Sequence, residues 1–351
     1  MNQSRKTCRW GVLGAASIAR KNVRAMHLAE NAQPLAIASR TLEKASAFAA
    51  EHQVERSYGS YEALLEDPDV DAVYIPLPTT LHREWTIRAA AAGKHVLCEK
   101  PVAPNASDAE AMIESCRDAD VQFMDGVMFM HHARMQTLKS RLVDIGEAPN
   151  LITSGFSFRG DDSFFEENIR GDASMEPLGA VGDLGWYSVR IMLELMLVLP
   201  SQVRATHHRL HHGIPIHTTA ELDFPGTDGG RHAFLHCSFV HPLRQWVEIC
   251  GSAGTMRMDD FVIGSPTEAC LQLETESRLT EKDLVHERRT ERIVTRDCIQ
   301  EVEMIRNFSE IARGATPLQP GWSDMSHATQ KVIDAIMSSA SADGASVPIP
   351  D

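Results

Sequence analysis

The most constraining feature of this 351-residue chain is the regular alternation in its first 128 residues. Short runs that are apolar throughout ("CRWGVLGA", "PLAIASR", "DAVYIPLP", "HVLCEKP", "VQFMDGVM") are separated by amphipathic stretches such as "SIARKNVRAMHLAEN" and "TLEKASAFAAEH". A strand that is apolar along its whole length is buried on both faces. Alternation with helices therefore implies a parallel sheet covered on both sides, a doubly wound α/β fold. Residues 1–128 are expected to form a dinucleotide-binding Rossmann domain.

Beyond residue 129 the pattern changes. A helical stretch from about Ala180 to Leu199 is followed by runs with partial alternation, punctuated by "PGTDGG" and "GSAG". Residues 129–351 read as an α+β domain with a large, mostly antiparallel open sheet and a final helix near 322–340. The edges and free face of such a sheet need covering, so a homodimer formed through it is expected. The net charge of −14, without a basic run, disfavours nucleic acid and anionic membranes as partners. The seven cysteines show no CxxC spacing, so the chain reads as a reduced, cytoplasmic protein without a zinc site. The run "HHRLHHG" (207–213) is not expected to hold a metal, because adjacent strand residues point to opposite faces.

The turn after the first strand is "GAASIA", Gly14 to Ala19. Of the three glycines of a G-x-G-x-x-G turn only the first is kept, with Ala16 and Ala19 at the others. Gly14 permits the tight turn. Ala15, Ala16, Ser17 and Ile18 lead into a helix whose N-terminus offers N–H groups to a pyrophosphate. The second strand ends in Ser39, Arg40 and Thr41 rather than a carboxylate. Arg40, with Lys44 one turn on, suits a 2′-phosphate, so NADP(H) is favoured and NAD(H) remains possible. In the alternative, Arg40 is solvated and Glu43 takes the ribose.

The fifth strand ends in Glu99, Lys100 and Pro101. Ligands of open parallel sheets bind beyond the carboxyl ends of the strands, so Lys100 is a candidate to orient a substrate oxygen. Proline after it opens the option of a cis bond. In "GAVGDLGWYSVR", Asp183 and Tyr187 stand four residues apart, one helical turn, and are expected to share a face.

Together, "GVLGAASIA", "PLPTTLH", "EKPV" and "GAVGDLGWY" resemble the Gfo/Idh/MocA family, over nearly the whole chain. The resemblance implies a Rossmann domain followed by an α+β domain. It also implies hydride transfer between a nicotinamide and a carbinol carbon of a sugar, polyol or vicinal diol. It makes Lys100 the catalytic lysine and places Asp183 and Tyr187 at the two functional positions of G-x-x-x-D-x-G-x-H/Y. Tyrosine at the last position is similar to the branch holding dimeric dihydrodiol dehydrogenase and NADP-dependent xylose dehydrogenase. Pro76, Leu77, Pro78, His82 and Glu99 then belong with the cofactor, although His82 also reads as a helix-surface residue. Phe129, His131 and Arg170, with Asp183, are candidates for the substrate cleft.

An unperturbed tyrosine titrates near 10. A neighbouring ammonium favours phenolate, so Tyr187 is expected to relay the proton with help from Lys100. Asp183 would hold a second hydroxyl or position Lys100; the bland alternative makes it a helix cap, with Tyr187 packed in the fold. Two other functions remain open: a nucleotide-binding regulator without chemistry, and a redox-assisted epimerase or lyase with retained nicotinamide.

Overall fold

A computed structural model describes residues 7–146, 148–226, 230–279 and 286–349. The chain divides into two compact units, one of Met1–His131 with Ile299–Gln330, the other of His132–Cys298 with Lys331–Asp351.

The first unit is built on β1 (Cys8–Leu13), β2 (Ala32–Ala38), β3 (Arg56–Tyr58), β4 (Ala72–Ile75), β5 (His95–Cys98) and β6 (Phe123–Asp125). They form one sheet in the order β3-β2-β1-β4-β5-β6, with every pair parallel. Helices α1 (Ser17–Leu28), α2 (Leu42–His52), α3 (Tyr61–Leu65), α4 (His82–Ala91) and α5 (Ala106–Asp118) provide the crossovers. The local signals agree with the chain's polar punctuation: Thr41, Ser60 and Asn105 cap α2, α3 and α5 with their side-chain oxygens. This is the doubly wound α/β architecture that fully apolar strands demand.

The second unit holds α6 (Ala133–Ser140), β7 (Leu151–Arg159), α7 (Asp162–Glu167), α8 (Trp186–Met196), β8 (Gln202–His211), β9 (Ile214–Phe224), β10 (Arg231–Ser238), β11 (Val240–Cys250), β12 (Gly254–Met258), β13 (Glu268–Leu279) and β14 (His286–Arg296). Its nine-stranded sheet runs β14-β13-β12-β11-β7-β10-β9-β8, ending on β15 (Val347–Pro348). All pairs are antiparallel except β7 with β10. Strand β9 alternates buried and half-buried residues along most of its length, the signature of a sheet with one face packed and one open. Helix α8 covers the packed face, and Ser188 Oγ meets Ser154 Oγ of β7 at 2.9 Å in the interior.

Two further helices, α9 (Gln300–Ala312) and α10 (Pro320–Ser341), follow the sheet. The sequence placed all of residues 129–351 in the second domain, but α9 belongs to the first unit. The reason is its apolar stripe: Val302, Met304, Ile305 and Phe308 lie in one cluster with Trp10, Val23, Met26 and Tyr74. Trp10 donates its indole N–H to Ser309 Oγ at 3.0 Å, fixing the register of the contact. The division between units falls inside α10, which is longer at both ends than the expected 322–340. Among the described residues no helix is long and apolar enough to cross a membrane, and the cysteines form no disulfide.

Candidate active site

In the first unit, the turn after β1 requires a residue without a side chain. Gly14 has φ +122°, and a Cβ there would come within 3.0 Å of Leu77 Cδ2. Ala16 then leads into α1 with extended backbone; no side chain caps the helix and no carboxylate sits in its first turn. A helix start of this kind, approached over a bare glycine, fits the pyrophosphate of a dinucleotide. Ser17 and Ile18 are exposed at that start and Ala15 is half-buried.

At the end of β2, Arg40 and Lys44 are exposed, whereas Ser39 is buried and donates its backbone N–H to Tyr58 O at 3.1 Å. Thr41 is committed to the α2 cap, accepting from Lys44 N at 3.3 Å. Arg40 and Lys44 are thus two exposed cations at this corner, with Glu43 between them in sequence.

Beyond β4 and β5 lie the loops carrying Pro76–Pro78 and Lys100. His82 joins them. It is the first residue of α4 and only 1% exposed, not on the helix surface. Its Nε2 lies 2.7 Å from Leu77 O, and its Nδ1 lies 3.0 Å from Pro101 O and 3.2 Å from Val102 O. Burial pushes its pKa down to about 4, outweighing the pull of these carbonyls, and the Lys100 charge works in the same direction. A neutral ring carries a single N–H, so it donates to the carbonyl of one loop and packs its other nitrogen against the other. Lys100 itself is half-buried, with a cis bond to Pro101.

Glu99 turns inward. Its carboxylate accepts the Tyr74 phenol at 2.6 Å and lies against Gly126, where a Cβ would come within 3.0 Å. Burial raises its pKa, against the hydrogen bond from Tyr74 and the charge of Lys100. It supports the β5 end rather than reaching outward. Phe129 is 2% exposed, which makes it a core residue of the turn Met128–His131 and not a cleft lining. Its neighbour His131 meets Asn307 Nδ2 at 3.1 Å and the Trp322 ring edge-on at 5.4 Å.

In the second unit, "GAVGDLGWY" does not form an ordinary α-helical start. Val181–Gly185 make a π-helical turn, and α8 begins only at Trp186. Such widened turns occur often at functional sites. Gly179 precedes it at φ +51°, where a Cβ would come within 2.3 Å of Pro215 O, so no other residue fits. Asp183 sits in the π turn and Tyr187 in the first turn of α8, with its ring 5.7 Å from Phe156.

The structure adds a partner for Asp183. Arg170 donates from Nε to Asp183 Oδ2 at 2.7 Å and from Nη2 to Oδ1 at 3.2 Å, a bidentate pair with the carboxylate 13% exposed. Asn168 Oδ1 accepts the Arg170 backbone N–H at 3.1 Å and holds the short turn Ile169–Gly171 in place. The Asp183 charge raises the Arg170 pKa, and the Tyr187 phenol contributes in the same sense. By reciprocity the guanidinium favours the ionised phenol. The sequence proposed Arg170 and Asp183 separately; the twelve residues between them hid their pairing.

Comparison with known proteins places this geometry. Residues 8–127 match the model of an oxidoreductase family with an NAD-binding Rossmann fold, and residues 141–257 match the Gfo/Idh/MocA C-terminal domain. An uncharacterised oxidoreductase of Rhizobium meliloti is 36% identical over 338 residues, covering 95% of this chain and 96% of its own. The chain belongs to the Gfo/Idh/MocA oxidoreductase family. An NADP-dependent D-xylose 1-dehydrogenase of Haloferax volcanii is 36% identical over 261 residues, 74% of this chain and 78% of its own. A 3-ketoreductase of Actinomadura kijaniata, solved with NADP and TDP-benzene, is 27% identical with a TM-score of 0.83, covering 95% and 98% of the two chains. The family's Rossmann model thus coincides with the β1–α1 turn and the Lys100 loop, and its C-terminal model with the Asp183–Tyr187 segment.

Proposed function

We propose that this family member is an NADP(H)-dependent oxidoreductase acting on a CH–OH group or the corresponding carbonyl of a sugar, polyol or vicinal diol. The observation that carries the reading is Asp183, held bidentate by Arg170 four residues before Tyr187. A fixed carboxylate accepts one hydroxyl of a polyhydroxy substrate while the phenol acts on another. Arg40 and Lys44 support NADP(H) over NAD(H), and the xylose dehydrogenase and the 3-ketoreductase support a sugar-like substrate.

In this reading Gly14, Ala15, Ala16, Ser17 and Ile18 hold the pyrophosphate, and Arg40 with Lys44 the 2′-phosphate. The nicotinamide, when bound, supplies or accepts the hydride. Tyr187 gives a proton to the carbonyl oxygen during reduction and takes it back during oxidation. Lys100 favours the phenolate and orients the reacting oxygen, and Arg170 favours it further through its field. Self-association through the open sheet face belongs to the same reading, supported by Phe234 of β10 at 42% exposure.

The test is a panel of aldoses, diols and dicarbonyls with NADP(H) and NAD(H), followed by nicotinamide absorbance, together with Tyr187→Phe. The variant should lose turnover while binding NADP(H) as before. Undiminished turnover in Tyr187→Phe would remove the tyrosine from the mechanism.

A further inference from the structure

Four histidines that the catalytic reading leaves unused converge on the open face of the second unit's sheet. They are His208 of β8, His217 of β9, His236 of β10 and His241 of β11. The sequence argument against a metal at "HHRLHHG" concerned neighbours along one strand, and it describes that run well. His207 bonds Thr218 Oγ1 and His208 bonds Thr219 Oγ1, each at 2.8 Å, so the two point to alternate sides. The cluster arises instead across strands, where 24 residues separate His217 from His241 and only folding brings them together.

From His217, His236 and His241, one ligating atom each can be chosen so that all three lie within 4.8 Å of one another. His236 Nε2 and His241 Nδ1 are 3.3 Å apart. In a tetrahedral zinc site with Zn–N of about 2.0–2.1 Å, two nitrogens stand about 3.3–3.4 Å apart, so one edge of the polyhedron is already set. The His217 ring centroid is 5.3 Å from that of His236 and 4.7 Å from that of His241, within reach of side-chain rotation. Strand β7 places Gly155 opposite His236, so no β7 side chain stands between His236 and β11 at this position. Ser238 Oγ, 2.8 Å from His241 Nδ1, also accepts the Val240 N–H at 3.1 Å, so it keeps a partner when an ion takes the nitrogen.

We infer that His217, His236 and His241 form a site for one imidazole-preferring divalent transition-metal ion of the zinc class, with its fourth position left unfilled by these three residues and His208 packed alongside. Imidazole nitrogens suit zinc, nickel and copper, and three protein ligands with an open position is a recurrent zinc arrangement. Such an ion would tie β9, β10 and β11 together across β7.

The experiment uses tag-free full-length protein and Zn2+ alone, titrated by calorimetry against wild type, His217→Ala, His241→Ala and His232→Ala. His232 lies in a separate group with Asp223 on the same strands and serves as the control. The inference expects one ion per chain, affinity reduced at least tenfold in the first two variants, and unchanged affinity in the third. Should those variants fail to fold, Co2+ bound to wild type should still give the intense visible bands of a tetrahedral nitrogen site. No saturable Zn2+ binding, affinity equal in wild type and His217→Ala, or Co2+ bands of an octahedral ion would each overturn it.

Discussion

His82 makes acid sensitivity of the first unit a quantitative matter. Its pKa is lowered from 6.5 to about 4, so the unfolded chain binds this proton more readily than the folded one. Stability from the neutral ring is fully present above pH 6.5 and is lost as pH falls toward 4. A change of this size corresponds to about 3 kcal/mol in full. Between pH 7 and pH 5 the linkage relation gives a loss of roughly 2 kcal/mol. Other groups titrate in that window, so the assay is differential: urea unfolding of wild type and His82→Gln at both pH values. Glutamine keeps an N–H for Leu77 O but cannot titrate. The variant should be less stable at pH 7 and lose about 2 kcal/mol less than wild type on going to pH 5. Equal losses in the two proteins would refute the buried neutral ring. Because the ring packs between the loops carrying Leu77 and Pro101, His82→Gln should also lower kcat by loosening the loop that carries Lys100, with a smaller effect on KM for the cofactor.

Arg40→Asp should raise KM for NADPH on the order of tenfold more than KM for NADH, since a charge-assisted hydrogen bond contributes about 1.5–3 kcal/mol; steady-state kinetics with both cofactors decides it. Arg170→Met removes the partner of a largely buried carboxylate, costing about 2–3 kcal/mol, and kcat should fall at least tenfold while cofactor affinity measured by fluorescence holds. Arg170→Lys, which keeps the charge but not the fork, should recover stability better than activity. Gly179→Ala forces a Cβ to 2.3 Å from a backbone carbonyl at positive φ, so thermal unfolding should register a loss of about 3 kcal/mol or more.

Much of the fold was legible because each strand of the first unit carries its own signal. A run such as "DAVYIPLP" needs no distant information to read as a doubly buried strand, and Gly14 announces its turn. The allocation of α9 was not legible in this way. Its apolar stripe shows that the helix packs, but not that Met304 and Phe308 pack on Trp10, almost 300 residues earlier. At the site, residue type carried over better than orientation. Lys100, Asp183 and Tyr187 were named by motif and their roles rest on the proposed function, whereas Glu99 and Phe129 were expected to face ligand and instead face the interior. A carboxylate or a phenyl ring beside a functional residue looks the same in sequence whichever way it points. The π turn was read as plain helix because its apolar spacing still satisfies a helical pattern. The Arg170–Asp183 pair and the histidine cluster depend on contacts across turns and strands, for which a single sequence carries no local mark.

The contact between Trp10 and α9 also sets an order of events during synthesis. Strands β1 to β6 leave the ribosome well before residues 300–312 exist. Until then Trp10 lacks Ser309, and Asn31 lacks the Arg306 carbonyl and Glu310 carboxylate that it later bonds at 3.0 and 2.8 Å. The dinucleotide-binding half, first to be translated, is therefore completed only near the end of the chain. It must wait, with an apolar face uncovered, while the whole nine-stranded sheet except its closing strand is made.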